Sequence, residues 1–441
     1  MFEIKGKVNT AICYAKVFEQ EAVEQIRRMC DYELTENSHI RIMPDVHVGK
    51  GCTIGTTMTV TDKVCPNIVG VDIGCGMYTV KLAEKVLDFE KIDEICHYIP
   101  SGMQVWEMAQ EEFSFTDLRC YKSLRNKERL LCSLGTLGGG NHFIEIDQAS
   151  DGTFYLIIHT GSRNLGKQVA EIYQNIAIDL CHGKEEYYAK RKELISSYRA
   201  DGKQQLIQKA LEALAKEFEN RGLTVPEDLC WLQGKYLNDY LHDVEICQQF
   251  AKRNREKIAE IILKKSGLTQ LDSFHTIHNY IDTKEMILRK SAIAAYRNEM
   301  VLIPINMRDG SILAIGLGNS EWNYSAPHGA GRIMSRSKAK SSISLEEYKE
   351  AMKGVYTTSV NEHTLDEAPM AYKSLDDIID VIKETVIPIN IMKPVYNFKA
   401  SIQTEMKKLE DFTKDICYSD TSYHLLSTNY YTSSQGGWHI P

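Results

Sequence analysis

GVDIGCGMY, residues 70–78, is a glycine-rich turn that runs directly into a β-prone stretch. It carries the carboxylate of Asp72 and the thiol of Cys75, with two residues between them. On a tight turn, side chains of these two types at this spacing can face one metal ion or bridge two. An aspartate that caps the turn beside a buried cysteine is the competing interpretation, and short matches of this kind are common.

Outward from this turn, the first 170 residues alternate short β-prone runs with glycine-rich turns, and β-prone runs return after residue 300. The predicted strands are TTMTVTD (56–62), MYTVKL (77–82), TFYLIIH (153–159), MVLIPI (300–305) and SILAIGL (311–317). VFEQEAVEQIRRMCDY (17–32) is a predicted helix, and Ser344 and Ser374 are predicted N-caps of two short helices.

Between about Gln168 and Lys265 the pattern becomes helical. One helix is predicted to end at Gly222, a C-cap residue, and a second to cover Tyr236 to Lys264. The apolar stripe of the first consists of Leu206, Ala210, Leu214 and Phe218.

We therefore predict a mixed α/β (α+β) fold with central sheets. A single catalytic domain is predicted over residues 1–400, and a helical insertion within it at about 170–268. KASIQTEMKKLEDFTKDI (399–416) could continue as a helix, but the polar and aromatic end of the chain does not resemble a folded element. Residues 401–441 are therefore predicted to be an extension outside the fold, partly flexible or artificial in origin.

The composition excludes several classes of protein. Hydrophobic residues make up 43% and charged residues 25% of 441, an ordinary globular balance. No apolar run approaches the roughly 18 residues that span a bilayer, and the N-terminus lacks a signal-peptide pattern, so we expect a cytoplasmic protein without a membrane partner. The twelve cysteines are scattered, which favours reduced thiols.

The net charge of −8 argues weakly against nonspecific coating of nucleic acid. It does not exclude a local basic cleft. Basic side chains do cluster in GRIMSRSKAKS, at Arg332, Arg336, Lys338 and Lys340.

Two further glycine-flanked segments carry polar groups near predicted strands. In GTLGGGNHFIEI (135–146) the glycines let the backbone approach a ligand, and Asn141, His142 and Glu145 follow at once. In FYLIIHTGSRNLG (154–166) His159 ends an apolar strand, and the planar fork of Arg163 could grip a phosphate. A core histidine and a solvated arginine are the competing interpretations.

Two more segments complete the set. FHTIHNYID (274–282) holds His275 and His278, and the pattern does not decide between them. In NYSAPHGAGRIMSR (323–336) His328 stands before Gly-Ala-Gly, where a histidine beside freed backbone amides can act as a nucleophile toward a phosphoryl group. A turn that starts a helix is the alternative.

Taken together, the five segments outweigh their separate alternatives. A thiol, a carboxylate and three histidines suit manganese, zinc or iron better than magnesium or calcium. Phosphate-directed arginines and lysines occur beside them. The residues alone therefore predict a metal-dependent phosphoryl-transfer enzyme with a candidate histidine nucleophile.

The same segments, in this order, resemble the motifs of the RtcB family of RNA-splicing ligases. The resemblance runs from about residue 40 to Lys399. The matching motifs are MPDVHVGKG, GVDIGCGM, LGTLGGGNHFIEI, IHTGSRNLG, HNY, HGAGRIMSR and DEAPMAYKSLDDI. It implies a single RtcB-like catalytic domain of α/β architecture with a deep metal cleft.

The resemblance also implies roles for individual residues. By this resemblance, the protein would hold two manganese ions through Asp72, Cys75, His142, His159 and His278. His328 would carry a covalent guanylyl group. GTP would contact a larger set: Asn141, His142, Phe143, Ile144, Glu145, His278, Asn279, Pro304, Ile305, Asn306, Met307, Ser311, His328, Gly329, Ala330, Gly331 and Lys399. Arg163 and Arg332 would contact RNA phosphate.

The implied reaction joins an RNA 3′-phosphate, or a 2′,3′-cyclic phosphate opened beforehand, to a 5′-hydroxyl end. GMP passes from GTP to His328, then to the RNA 3′-phosphate, and it leaves when the 5′-hydroxyl attacks. RNA with such broken ends is the expected partner, in RNA repair or tRNA splicing, and a need for an archease-like activator stays open.

The chain departs from the family pattern in three places. Pro304–Arg308 reads PINMR where the family usually has PGSMG, and Ser291 stands where Arg-Lys is usually followed by glycine. The chain also continues beyond Lys399. We expect a divergent subgroup with a reshaped nucleotide pocket. A metal-dependent RNA-end phosphodiesterase without ligation is the main alternative, and a noncatalytic RNA-end binding protein is the other.

Overall fold

The computed structural model describes residues 1–16, 18–220 and 225–400. The strands are β1 (Phe2–Lys5), β2 (Thr10–Cys13), β3 (Ile40–His47), β4 (Ile54–Thr59), β5 (Lys63–Val64), β6 (Gly76–Leu82), β7 (Phe143–Gln148), β8 (Phe154–Thr160), β9 (Leu232–Gln233), β10 (Gln270–Ile277), β11 (Asn279–Asp282), β12 (Ile287–Lys290), β13 (Ala292–Ala294), β14 (Met300–Asn306), β15 (Gly310–Gly316), β16 (Ser325–Pro327) and β17 (Val386–Lys399).

The α-helices of this part of the chain are α1 (Gln20–Met29), α2 (Pro66–Val69), α3 (Phe89–Tyr98), α4 (Lys127–Cys132), α5 (Arg163–Cys181), α6 (Lys184–Ala200), α7 (Ile207–Asn220), α8 (Gly234–Ser266), α9 (Arg336–Ser342), α10 (Leu345–Ala351) and α11 (Leu375–Ile382). Within the described ranges, none of these helices is long and apolar enough to cross a membrane.

Two sheets form the centre of this α/β fold. One has six strands in the order β1-β2-β3-β4-β12-β11, and the other has seven in the order β10-β6-β8-β7-β17-β15-β14. In the seven-stranded sheet every neighbouring pair is antiparallel. The strand order also makes neighbours of strands that are far apart in sequence, such as β10 and β6.

The five predicted strands and the helix near the N-terminus are confirmed. Ser344 and Ser374 are confirmed as N-caps, since each hydroxyl accepts a hydrogen bond from the backbone N–H three residues later. The prediction that Leu206 belongs to the apolar stripe of α7 is wrong, because Leu206 lies in a preceding 3-10 turn and is exposed. The C-cap predicted at Gly222 and the helix predicted to continue beyond Lys399 lie outside the described residues.

Helix α8 extends the predicted Tyr236–Lys264 helix by two residues at each end and stops where Gly267 adopts a left-handed φ of 81°. Its side chains at Phe250, Ile258 and Ile262 are buried in the core. Its polar residues Asn254 and Arg255 are fully buried as well. A buried polar side chain needs partners, and these two find them in the loops that carry the candidate site.

Arg289 in β12 connects the six-stranded sheet to β16. The fully buried guanidinium donates hydrogen bonds to Ser325 Oγ at 2.8 Å, to the Tyr280 hydroxyl at 2.9 Å and to the Asn323 carbonyl at 3.2 Å. Asp282 supplies the nearest carboxylate, 3.8 Å away. The charge is thus neutralised and hydrogen-bonded inside the fold.

Arg289→Met should lower the free energy of unfolding by about 3 kcal/mol, because it leaves Asp282 and several buried acceptors without their donor. Arg27→Met on the exposed face of α1 is the matched control and should stay within about 0.5 kcal/mol of the wild type. Chemical denaturation measures both. Equal stability of the two variants would contradict the connecting role of Arg289.

Candidate metal centre and the adjoining cavity

The register of the seven-stranded sheet brings four segments to one edge. His159 in β8 lies opposite Met77 on one side and Phe143 on the other. Gly76, the first residue of β6, lies opposite Ile277, the last residue of β10. Cys75, His142 and His278 are the residues that come directly before or after these paired positions. Hydrogen bonding between the strands therefore places all of them beside His159.

The side chains form two overlapping groups whose ligand atoms lie within 4.8 Å of one another. The groups are Cys75, His159, His278 and Asp72, Cys75, His142. Cys75 belongs to both: its Sγ is 3.4 Å from Nε2 of His159 and 3.5 Å from Nε2 of His142. All five predicted ligands are thus brought together, with the thiol in the position of a bridge.

The hydrogen bonds of the rings indicate why a cation fits between them. His142 Nδ1 is 2.9 Å from the Leu137 carbonyl and His159 Nδ1 is 3.1 Å from the Asn141 carbonyl. A carbonyl only accepts, so each Nδ1 carries the proton, and Nε2 of His159 presents a lone pair to Cys75, with Nε2 of His278 only 3.3 Å away. Converging lone pairs repel one another, and a metal ion converts that repulsion into coordination.

The electrostatic environment favours the same interpretation. Burial raises the pKa of the Cys75 thiol well above its ordinary value, and the adjacent Asp72 carboxylate raises it further. Burial lowers the pKa of His159 and of His278 well below the usual value. The imidazoles are therefore neutral, as a metal ligand must be, and the thiol needs a nearby cation to ionise.

Asp72 stays ionisable in this buried setting. Burial alone would raise its pKa, but the hydrogen bond from His142 and the charges of His142 and Arg163 outweigh burial and lower it. His142 Nε2 is 2.9 Å from Asp72 Oδ2, and the Ser162 backbone N–H donates to the other oxygen at 3.1 Å. The carboxylate is thereby oriented toward the thiol.

Two glycines permit this close packing. A Cβ on Gly161 would lie 2.2 Å from Asp72 Oδ1, and a Cβ on Gly138 would lie 1.9 Å from Nη1 of Arg163. Gly138 also has a φ of 84°, which favours glycine. The glycines that flank the predicted motifs are thus required where the loops meet the ligands.

The uncertain choice between His275 and His278 is decided by strand alternation. His275 stacks on Tyr78, with ring centroids 4.4 Å apart, and its Nε2 is 3.2 Å from Glu256 Oε1. His278 instead has its Nε2 3.3 Å from Nε2 of His159. Of the two, only His278 reaches the candidate metal centre.

A cavity of about 760 Å³ adjoins this centre. It is lined by most of the residues predicted to contact a nucleotide: Asn141, Phe143, Glu145, His278, Pro304, Ile305, Asn306, Met307, His328, Gly329, Ala330, Gly331 and Lys399. Its size is that of a typical small-molecule site.

Four predicted contact residues do not line the cavity. The Ile144 side chain packs in the core on the other face of β7, because successive side chains of a strand alternate. Any contact it makes with a nucleotide is therefore confined to its backbone. Ser311 is fully buried within β15, and His142 lies in the metal centre. Asn279 Oδ1 accepts hydrogen bonds from the N–H and hydroxyl of Ser291.

His328 lies in the cavity wall beside the metal centre. Its ring centroid is 5.0 Å from that of His278, and its Nδ1 is 2.6 Å from Oδ2 of Asp45. A carboxylate accepts hydrogen bonds, so Nδ1 is the protonated nitrogen and Nε2 carries the lone pair. Asp45 is fully buried in β3, and it holds His328 in one tautomer.

Lys399 and Glu367 form a buried ion pair in the cavity wall, with Nζ 2.9 Å from Oε2. Burial alone would raise the pKa of Glu367, but the charges of Lys399 and Arg336 outweigh burial and lower it. Glu145 accepts a hydrogen bond of 2.6 Å from Asn397, and burial with the nearby Asp147 raises its pKa well above the usual value.

The two arginines predicted to contact phosphate are held by the protein itself. Arg163, the first residue of α5, donates to Thr136 Oγ1 at 3.1 Å and to the Gly102 carbonyl at 2.7 Å. Arg332 lines the cavity and donates to the carbonyls of Met334 and Asp366 at 3.0 and 2.7 Å. Phosphate contact by either stays a prediction and would use the donors that remain.

The segment that departs most from the family pattern, Pro304–Arg308, forms the end of β14 and the start of the turn into β15. Arg308 is exposed and pairs with Asp309 at 2.8 Å, and it does not line the cavity. Asn306 also hydrogen-bonds Asp309 at 2.8 Å. Ser291, at the other departure, adopts a left-handed φ of 48° that glycine would adopt without strain.

Sequence reasoning missed several residues of the cavity wall. Asp45, which supports His328, and His47, which lines the cavity, occupy alternate positions of β3 within MPDVHVGKG. Glu367 belongs to DEAPMAYKSLDDI. The signal available in the sequence was the presence of Asp45 and His47 in a strand with several apolar residues. A charged side chain buried in such a strand needs a partner, so these residues could have been predicted to contact other polar groups.

Cys75→Ala should weaken both metal-binding events, whereas His142→Ala should remove one and leave the Cys75, His159, His278 group intact. Calorimetric titration of metal-free protein with Mn²⁺ counts the events. His275→Ala, which alters a histidine three residues from a predicted ligand, is the control and should retain both. Two undiminished events in Cys75→Ala would contradict a bridging thiol.

Comparison with known proteins gives a consistent result. The family described as tRNA-splicing ligase RtcB matches residues 25–119 and 114–400. The chain is 30% identical to the RNA-splicing ligase RtcB of Escherichia coli (strain K12) over 399 residues, covering 81% of this chain and 89% of that protein. It is 28% identical to the tRNA-splicing ligase RtcB of Nanoarchaeum equitans (82% and 87% covered) and 26% identical to that of Aeropyrum pernix (77% and 83% covered). The chain belongs to the RtcB family.

Proposed function

We propose that this protein is a GTP- and manganese-dependent RNA ligase that joins a 3′-phosphate or 2′,3′-cyclic phosphate end to a 5′-hydroxyl end. The relatives named RNA-splicing or tRNA-splicing ligase support the ligase activity and its RNA substrate. The observation that carries the nucleotidyl-transfer step is the position of His328 between a carboxylate and a cavity beside the metal ligands.

His328 is equipped to be the nucleophile toward GTP. Its Nδ1–H donates to Asp45, so Nε2 can attack the α-phosphorus without first losing a proton. The bond from that phosphorus to the β-phosphate oxygen breaks, and pyrophosphate leaves. The ring then carries GMP and a positive charge, which the Asp45 carboxylate stabilises at 2.6 Å.

The chain supplies groups suited to a guanine nucleotide on the walls around His328. Glu145 and Asn397 are hydrogen-bonded to one another and can pair with the edge of a base. The Lys399–Glu367 pair offers a cation fixed by a buried carboxylate. Gly329, Ala330 and Gly331 keep this part of the wall free of bulky side chains.

Manganese ions bound by Asp72, Cys75, His142, His159 and His278 would neutralise the negative charge that accumulates when GTP and an RNA phosphate meet. The carbonyls of Leu137 and Asn141 would orient the rings of His142 and His159 for this role. The remaining steps use His328 as a leaving group. An oxygen of the RNA 3′-phosphate displaces it from the GMP phosphorus, and the 5′-hydroxyl then displaces GMP.

His328→Ala should abolish covalent labelling by α-labelled GTP, to below about 1% of the wild type. Within the described part of the chain, no other histidine of the cavity wall contacts both a buried carboxylate and a candidate metal ligand as His328 contacts Asp45 and His278. The label on the wild type should be labile to acid, as a phosphoramidate is. Incubation with Mn²⁺ followed by a denaturing gel measures it. An unlabelled wild type with manganese bound would instead favour the RNA-end phosphodiesterase.

Asp45→Asn should slow guanylylation by about 10²- to 10⁴-fold, since an amide can hold the ring in the wrong tautomer and cannot stabilise its charge. The rate of label formation under single-turnover conditions measures the change. Asp62→Asn, in the exposed turn between β4 and β5, is the matched control and should leave the rate unchanged. Wild-type rates in Asp45→Asn would show that Asp45 does not act through His328.

A further inference from the structure

His47 is a second histidine anchored on Asp45. It ends β3, is partly buried and lines the cavity. Its Nδ1 is 2.9 Å from the backbone carbonyl of Asp45, so Nδ1 carries the proton and Nε2 carries the lone pair. Among the described residues, no group hydrogen-bonds this Nε2. The ring therefore presents an uncommitted proton acceptor to the cavity.

His47 is also close to the reacting centre. Asp45 holds both rings, His328 through its side chain at 2.6 Å and His47 through its backbone carbonyl at 2.9 Å. Both residues line the same cavity, so a phosphorus atom that reacts at His328 lies in the cavity that His47 also lines. One residue of β3 fixes the orientation of both imidazoles.

The environment keeps His47 in its basic form. Burial lowers its pKa and outweighs the opposing effects of the backbone carbonyl and the carboxylate of Asp45, and the charge of Lys373 lowers the pKa slightly further. An imidazole with a pKa below its ordinary value is neutral at pH 7 and can take up a proton.

Among the three steps that start from GTP and an RNA 3′-phosphate, the last is the one that needs such a base. In the first step the nucleophile is an imidazole lone pair, and in the second it is an anionic phosphate oxygen. In the third step the nucleophile is a neutral 5′-hydroxyl, which must lose its proton as it attacks. The site therefore requires one proton acceptor that does not also bind GMP covalently.

Other acidic or basic side chains of the described cavity wall are committed elsewhere. His159 and His278 direct Nε2 toward the candidate metal centre. Glu367 is paired with Lys399 and Arg336. None of these can accept a proton without giving up its present partner.

The two remaining carboxyl groups are poor candidates as well. Burial favours the protonated form of Glu145, which already accepts a hydrogen bond from Asn397. Glu19 lies at the rim, where it is exposed to solvent, and an exposed carboxylate is a weak base at pH 7. His47 is thus the best-placed acceptor.

We propose that Nε2 of His47 is the general base that accepts the proton of the RNA 5′-hydroxyl in the sealing step, an assignment that rests on the proposed ligase function. The 5′-oxygen forms a bond to the phosphorus of the RNA 3′-phosphate. The bond from that phosphorus to the oxygen bridging to GMP breaks, and GMP leaves with the electron pair. The proton passes from the 5′-hydroxyl to His47 and then to solvent.

Single-turnover assays can separate the three steps in His47→Ala and His47→Gln. Sealing of a preformed RNA(3′)pp(5′)G strand to a 5′-hydroxyl strand should slow by about 100-fold in both variants. Labelling of His328 by GTP and formation of RNA(3′)pp(5′)G should change by less than about threefold. The activated strand should accumulate, and added imidazole should restore sealing in His47→Ala.

His39→Ala, an exposed histidine just before β3, is the matched control and should seal at the wild-type rate. The proposal is overturned if His47→Ala seals the preformed strand normally. It is also overturned if all three steps fall together, since that would indicate a structural role. If the wild-type protein neither takes up label nor seals the preformed strand, that result contradicts the proposed ligase function itself, independently of the His47 variants.

Discussion

Arg255, fully buried in α8, fixes the backbone of the segments that carry the candidate site. Its Nη1 donates to the carbonyls of Gly74 and Thr160 at 2.7 and 2.9 Å. These carbonyls belong to the turn before Cys75 and to the end of the strand that carries His159. Asn254 Oδ1 accepts hydrogen bonds from the backbone N–H groups of Gly135 and Thr136, and its Nδ2 donates to the Gly161 carbonyl. One long helix thus fixes three loops, and burial prevents water from replacing these hydrogen bonds.

The candidate ligands are packed closely in this buried place. Nε2 of His142 and of His159 both lie within 3.5 Å of one buried thiol, and the carboxylate of Asp72 lies beside them. A cation bound among these groups would offset the unfavourable electrostatics of burying them together. Groups fixed in this way by the fold are suited to electrostatic catalysis.

Asp45 organises the other side of the cavity. Through one side chain and one backbone carbonyl it sets the tautomers of His328 and His47, and both residues line the same cavity. The roles proposed for them are covalent transfer for His328 and proton transfer for His47. The two imidazoles differ in the atoms that contact their Nδ1, a carboxylate in one case and a backbone carbonyl in the other.

The sequence by itself determined the residue types of the candidate metal centre, the α/β class, the helix caps at Ser344 and Ser374 and the position of His328 beside small residues. These depend on local spacing and propensity, which neighbours along the chain control. The family resemblance already assigned His278 to the ligand set, but only the tertiary structure showed that His275 stacks on Tyr78, that Ile144 faces the core, and that Asp45 supports His328. These depend on strand register and on contacts between residues as far apart as 45 and 328, which no local pattern encodes.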